Sequence, residues 1–408
     1  MVMLSKARKP KGESMSYLAQ WNEVSEDLSK IQRLGSSLER YRDLLAGRDV
    51  VTGATADVIS VALESIDPDF DIKEGSKITL RAIKEGIIAA AKATRDIVRY
   101  IWELLNSFYV KFTGSIRRVR RTQESISRRL GKLGSATTYQ KMSVAGVQRL
   151  SIDGNFVGLD LNHLNDIKDL TNYILNHYPK SVAKIARNSS RQFLNILDKS
   201  KDASSNEVAG EVVEAFANIL QRDFTPPPGH APLQQRELTT AEKGVHRSVV
   251  LPGNVAFIYT PPDVISQMLN NSKVANEDVV RRSFTMQFAE LQLNVADRSE
   301  REIDVPSVRT LSEITQLISS ILSLAEKAET GQRDFSTVKV VVDDAIRQIA
   351  EAGEEAGKSY NSVLSIIGEI SKKLAEPMGF YTHWLAVSLN VYLTFISHCI
   401  KHYEAEGV

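Results

Sequence analysis

Three clusters in this chain carry residue types that could do chemistry. Ala352-Gly353-Glu354-Glu355-Ala356-Gly357-Lys358-Ser359 satisfies a permissive phosphate-loop pattern, in which backbone amides of a glycine-rich turn face phosphate oxygens and the lysine adds a charge. Such a loop needs a buried strand running straight into it, whereas Asp343 to Glu351 separates the apolar Val338 to Val342 from this motif. Two glutamates also occupy the place where phosphate would lie, so nucleotide chemistry is not expected. His398 and His402 stand four apart and share a helix face, the spacing of a two-histidine metal site. No second pair completes the set, so no metal or other cofactor is expected. His163, His177, His230, His246 and His383 are scattered, with no nucleophile, base and orienting acid at a recognisable spacing. The reading is therefore of a protein that is not an enzyme and has no small-molecule substrate.

The third cluster is basic. Between Lys111 and Lys132 stand Arg117, Arg118, Arg120, Arg121, Arg128 and Arg129, eight cations in all with the ends, against the single acid Glu124. The chain as a whole carries a net charge of only +1, so this is a local anionic contact rather than a coat of charge. Paired arginines at these positions cover more than one face of a helix and would meet a phosphate backbone without reading bases. Aromatic residues are hardly interleaved, which disfavours stacking on single strands. The competing reading is a solvated helix surface.

The element that positions this cluster runs from Ser76 to Leu133 without a proline. Ile83, Ile87, Ala90, Ala91, Thr94, Ile97, Val98, Ile101, Trp102, Leu105 and Phe108 return every three or four residues, which predicts one long amphipathic helix. Gly114 and Gly131 interrupt the pattern, and a kink or break near Gly114 is expected. Upstream, Leu18, Trp21, Val24, Leu28, Ile31, Leu34, Leu38, Tyr41 and Leu45 make a heptad-like stripe that seeks a partner, with self-association as one outcome. A shorter helix over Thr55 to Ile66 follows, and then Ser65 to Asp71 (Ser-Ile-Asp-Pro-Asp-Phe-Asp) breaks the pattern as an exposed connector.

Beyond the rod the period changes. Asp153-Gly154 between Arg149 to Ile152 and Asn155 to Val157 predicts a hairpin. A second is predicted from Ser248 to Leu251, turning at Pro252-Gly253-Asn254 and returning over Val255 to Tyr259, with Ser283 to Val295 as a third strand. Helices are predicted at about 161–177, 179–199 and 206–221, and again at about 307–330, 335–351, 352–375 and 379–403. The last has no Lys, Arg, Asp or Glu from Trp384 through Ile400, and it is shorter than the about 20 residues of a membrane span. A central bundle helix is the expectation.

The fold class is thus mainly α: an elongated multi-helix body with a long basic helix and a small β-hairpin/sheet insert. The expected division is a helical leader over 1–64, the long helix over 65–145, a mixed α/β middle over 146–305 and a C-terminal helical bundle over 306–408. At 408 residues with 42% hydrophobic and 25% charged content, the chain has the composition of a globular protein with a sizeable core. Cys399 is the only cysteine, which excludes an intrachain disulfide. Met1 to Glu13 is basic and lacks the apolar core of a secretory signal.

The order of parts resembles the internal head proteins of large contractile-tailed phages. The resemblance is carried by the Val61-Ala62-Leu63-Glu64-Ser65-Ile66 junction, the basic rod, the hairpin around Leu251-Pro252-Gly253-Asn254 and the closing helix from Tyr381-Thr382-His383-Trp384 to Tyr403. It implies residence inside the capsid with packaged double-stranded DNA, with capsid or scaffold proteins and a prohead protease as partners. It also implies removal of an N-terminal piece after a glutamate in a small-any-Glu context. Ala62-Leu63-Glu64 fits, with Ser65 as the new N-terminus. Ser37-Leu38-Glu39, Ser205-Asn206-Glu207 and Ala352-Gly353-Glu354 fit equally well, and Glu64 stands apart by adjoining the connector, where backbone is reachable. The alternative function is a host-directed long-helix toxin that acts on membranes through Trp384 to Ile400.

Overall fold

The computed structural model describes residues 17–45, 50–67, 70, 77–135, 140–144, 147–199, 205–234, 237, 244–271, 280, 284–295, 301–355 and 361–405. In chain order come α1 (Tyr17–Leu44), β1 (Val50–Val51), α2 (Ala54–Ile66), β2 (Ile78–Thr79) and α3 (Leu80–Leu133). The middle holds β3 (Lys141–Val144), β4 (Ser151–Ile152), β5 (Asn155–Phe156), α4 (Leu161–Asn172), α5 (Tyr178–Lys199), α6 (Ser205–Asp223), β6 (Ala231–Pro232), β7 (His246–Arg247), β8 (Val255–Tyr259), α7 (Pro262–Asn271) and β9 (Met286–Glu290). The chain closes with β10 (Arg301–Asp304), α8 (Val308–Glu326), α9 (Glu329–Glu355) and α10 (Asn361–Ala405). The body is mainly helical and elongated, as its sequence periodicity predicts.

The long rod is real and unbroken. Thr79 caps α3, its hydroxyl accepting from the Ala82 N–H at 3.1 Å, which satisfies one of the orphan donors of the first turn. The helix then runs straight through Gly114, where an added Cβ would meet nothing within 4 Å. The glycine faces open space, so its small intrinsic penalty is outweighed by the buried stripe on either side, including Tyr109, Phe112, Ile116 and Val119. No break occurs at Gly114.

α10 packs along α3 more extensively than any other pair of elements. It also continues through Pro377, where the sequence predicts a gap between two helices. A proline inside a helix forgoes one N–H bond and crowds the preceding turn; here Ala375, Pro377 and Met378 are all buried, and that packing holds the turn together. Two of its buried tyrosines find polar partners: the Tyr381 hydroxyl lies 2.7 Å from Thr171 Oγ1, and Tyr403 donates to the Pro306 carbonyl at 2.9 Å, the usual provision for a buried phenol.

α1 lies against both α3 and α10. Trp21, Val24, Leu28, Ile31 and Leu38 are buried in the same hydrophobic cluster as Ile97, Trp102 and Leu385. The stripe that seeks a partner therefore finds one within its own chain. α2 ends at Ile66, as predicted for the helix from Thr55, so the connector starts after Ser65 and Ile66 rather than at Ser65: Asp67 N–H closes the last turn on the Leu63 carbonyl at 2.9 Å, and Ile66 is fully buried.

The β insert has the predicted turns, and its second hairpin reaches further than predicted. Asp153 and Gly154 both have positive φ (48° and 79°), as a two-residue hairpin turn between β4 and β5 demands. β8 pairs antiparallel with β9, matching Tyr259 to Met286, and on its other side the predicted hairpin forms across Pro252-Gly253-Asn254: Leu251 bridges Val255, the Ser248 N–H donates to the Phe257 carbonyl at 2.8 Å, and the pairing continues outward into β7 at His246–Arg247. The four-stranded sheet has the order β6-β7-β8-β9. A separate pair joins β3 to β10, Lys141 opposite Asp304.

Candidate nucleic-acid interface

The basic end of α3 is sorted by helix geometry into a buried face, two flanks and an exposed arc. Ile116, Val119, Gln123, Ile126 and Leu130 point into the core. On one flank Arg120 is tied to α8: its guanidinium donates to Glu326 Oε1 and Oε2 at 3.0 and 2.9 Å and to the hydroxyls of Ser319 and Ser323 at 2.8 and 2.9 Å. On the other flank Arg129 is tied to α10, donating to both oxygens of Glu404 at 3.0 and 2.8 Å and to Ser397 Oγ at 3.1 Å. These are forked, two-oxygen pairings, the geometry in which an arginine is held most firmly. The Arg129 guanidinium holds the Glu404 carboxyl below its ordinary value, and the same hydrogen bond raises Arg129.

Between the two flanks the surface is cationic. Arg117, Arg118, Arg121, Arg128 and Lys132 are exposed. Arg117, Arg121, Arg128 and Lys132 are spaced by four, seven and four residues, which sets them in one row along the helix, about 22 Å long at 1.5 Å per residue. Arg118 bonds Ser115 Oγ at 3.3 Å, and Arg128 bonds its own helix at the Glu124 carbonyl at 3.4 Å. Such local bonds orient a guanidinium without neutralising it.

Of the six arginines singled out from sequence, the structure therefore brings Arg117, Arg118, Arg121 and Arg128 together on an exposed arc and turns Arg120 and Arg129 toward the protein. Glu326 and Glu404, which make that division, lie about two hundred and more residues away in sequence and leave no local signal. Lys132 joins the row by spacing alone.

The other clusters resolve differently. Val338 to Val342 lies inside α9, not in a strand, and α9 runs on through Ala352-Gly353-Glu354-Glu355; positions 356–360, with Lys358 and Ser359, lie outside the described residues. Among the described residues no group of three or more His, Cys, Asp or Glu is placed to hold a metal ion. No helix of the structure is long and apolar enough to cross a membrane, among the described residues. The uncharged stretch from Trp384 to Ile400 lies along the core face of α10, with Leu385, Leu389, Tyr392, Leu393, Ile396 and Cys399 buried. One cleft of about 670 Å³ opens between the β4–β5 turn, β9 and α10, lined by Arg149, Asn254, Phe288, Glu290, Glu376, His383 and Trp384 among others. Burial of its carboxyl in that cleft pushes Glu376 up from 4.5 to about 7.

The four small-any-Glu sequences sit in unequal places. Glu39 is buried near the C-terminal end of α1, Glu207 is exposed in the first turn of α6, and Glu354 falls in the last turn of α9. Glu64 is exposed in the last turn of α2, while Ala62 and Leu63 beside it are buried.

Compared with known families, residues 14–398 match the family model of phiKZ-like phage internal head proteins. The chain belongs to that family. As an internal head protein its place is inside the virion capsid. No curated protein and no solved structure matches the chain, so the residue roles within this internal head protein rest on its own geometry.

Proposed function

We propose that this internal head protein is a non-enzymatic structural component that lies against packaged double-stranded DNA through Arg117, Arg118, Arg121 and Arg128. Its further partners are capsid or scaffold proteins and the prohead protease, which cuts after Glu64. The DNA contact is supported by one observation above others: two arginines are locked to Glu326 and Glu404 on opposite flanks while the cations between them stay exposed in a row. A row of cations on a rigid helix suits phosphates, which carry charge at regular intervals and no sequence. Scission after Glu64 is supported by the exposure of Glu64 at the end of α2 and by the burial that disqualifies Glu39.

The test is a salt titration of binding to duplex DNA of unrelated sequences. Affinity should fall steeply with salt, by a slope of roughly −0.9 for each phosphate neutralised, and should be indifferent to sequence. Absence of binding at low salt would leave the arc a solvated or protein-facing surface. For the processing step, peptide mapping of the protein from purified virions should find an N-terminus at Ser65.

A further inference from the structure

α1 does not merely touch the body; it is seated in a groove built to its register. The groove is walled by α3 and α10, and glycines let the helices close on one another. A Cβ at Gly368 of α10 would stand 2.6 Å from Gln32 Nε2 and 3.3 Å from Leu28 Cδ1, and one at Gly35 of α1 would stand 3.1 Å from the Ala90 Cβ. A Cβ at Gly86 of α3 would run into Leu63 of α2. Polar groups fix the register: Gln32 Nε2 donates to the Ser365 carbonyl at 3.0 Å, and the Glu39 carboxylate accepts from the Asn361 N–H at 3.0 Å and from Ser362 Oγ at 3.4 Å. Gln32, Glu39, Asn361 and Ser365 are all buried.

We infer that this groove keeps the leader after the backbone is cut, so that the matured protein is a nicked complex of two chains, α1–α2 and the body. The inference rests on the proposed scission after Glu64. Hydrolysis there adds one water across the Glu64–Ser65 peptide bond and leaves a carboxylate on Glu64 and an amine on Ser65. It breaks none of the contacts just described, all of which lie at or before Leu63 on the leader side. The new carboxylate sits at the C-terminal end of α2, where it opposes the helix dipole, so the effect of the cut is to fray Leu63 and Glu64 while α1 stays seated. The occupant that the groove fits is an amphipathic helix with Gln, Gly and Glu at the spacing of Gln32, Gly35 and Glu39.

A recognition sequence for a specific protease, placed between Asp71 and Ile72 of the full-length chain, allows the nick to be made in purified protein without the phage enzyme. After cutting under native conditions, the leader and the body should co-elute on gel filtration at roughly micromolar concentration. The Gly368→Val variant, which pushes a branched side chain at Gln32 and Leu28, should hold the cut leader at least about tenfold more weakly. Separation of the two pieces with the body still soluble would overturn the inference, as would equal retention in the variant. In mature virions the result is read independently of that: a Ser65 N-terminus accompanied by peptides from residues 17–64 supports retention, and a Ser65 N-terminus without them overturns it. If no Ser65 N-terminus is present, the scission reading fails on its own, and co-elution of the engineered pieces still decides whether the groove retains the leader.

Discussion

Glu39, near the C-terminal end of α1, accepts a hydrogen bond from the backbone N–H of Asn361, the first residue of α10, at 3.0 Å. A side chain more than three hundred residues upstream thus does for α10 what an N-cap usually does locally: it satisfies an orphan N–H and sets a negative charge at the positive end of the helix. Glu39→Ala takes the acceptor from the buried Asn361 N–H and from the part-buried Ser362 hydroxyl. It should cost about 1–2 kcal/mol of stability, on the scale of a lost cap, measured by urea denaturation of the full chain.

The arginines of α3 should divide into two classes. Replacing Arg117, Arg118, Arg121 and Arg128 together with Gln keeps good helix formers in place and should flatten the slope of log affinity against log salt by up to about 3 to 4. Thermal stability should be little changed. Arg120→Gln or Arg129→Gln breaks a forked ion pair to Glu326 or Glu404 and should lower stability while leaving most of the salt slope intact. Equal effects of the two sets on DNA binding would contradict the division.

The helices were legible where the apolar period was long and local. α3 is bounded almost where the proline-free rod begins and ends, because one face of it, from Ile83 and Ile87 to Leu130 and Leu133, is buried along its length. Two errors share a cause: Gly114 and Pro377 read as breaks from their own propensities, and tertiary packing outweighed both. The second hairpin was legible in its turn and in Ser248 to Leu251 facing Val255 to Phe257, whereas its extension to His246–Arg247 and the pairing of β3 with β10 involve short strands that carry little pattern of their own. The sequence located the basic cluster but could not say which arginines face outward, since that is decided by Glu326 and Glu404. The seating of α1 was invisible for a similar reason: a heptad-like stripe announces that it will be buried, not by whom.

Stability should respond to pH through Glu376. Its carboxyl titrates near 4.5 when unperturbed and at about 7 in the fold, so the folded chain binds that proton more tightly than the unfolded one. Its contribution is fully present below about 4.5 and is lost as pH rises through about 7. Glu376→Gln should remove this dependence and raise stability above pH 7 by on the order of 2 kcal/mol. Denaturation curves at about pH 4 and about pH 8, either side of the window, check the sign.

Processing should be limited by the last turn of α2. Leu63 is fully buried over Gly86, so a protease that needs extended backbone around Glu64 must wait for that turn to open. Leu63→Ala keeps the small-any-Glu sequence and removes the anchor, at a cost typical of a buried leucine, about 2–5 kcal/mol. The purified variant should be cut after Glu64 by the prohead protease faster than the parent chain. An unchanged rate, followed by appearance of the Ser65 N-terminus, would place the limiting step elsewhere.

The uninterrupted course of α3 through Gly114 makes the molecule a ruler. Gly86, under the leader, and Arg121, in the cationic row, lie on one rigid helix and are separated by roughly 50 Å at about 1.5 Å per residue. With no hinge between them, whatever holds the leader end is kept at a set standoff from whatever the arginines grip, and neither end can fold back on the other. If the arginine row lies on duplex as proposed, the length of one helix would fix how far along the molecule that contact stands from the seat of the leader.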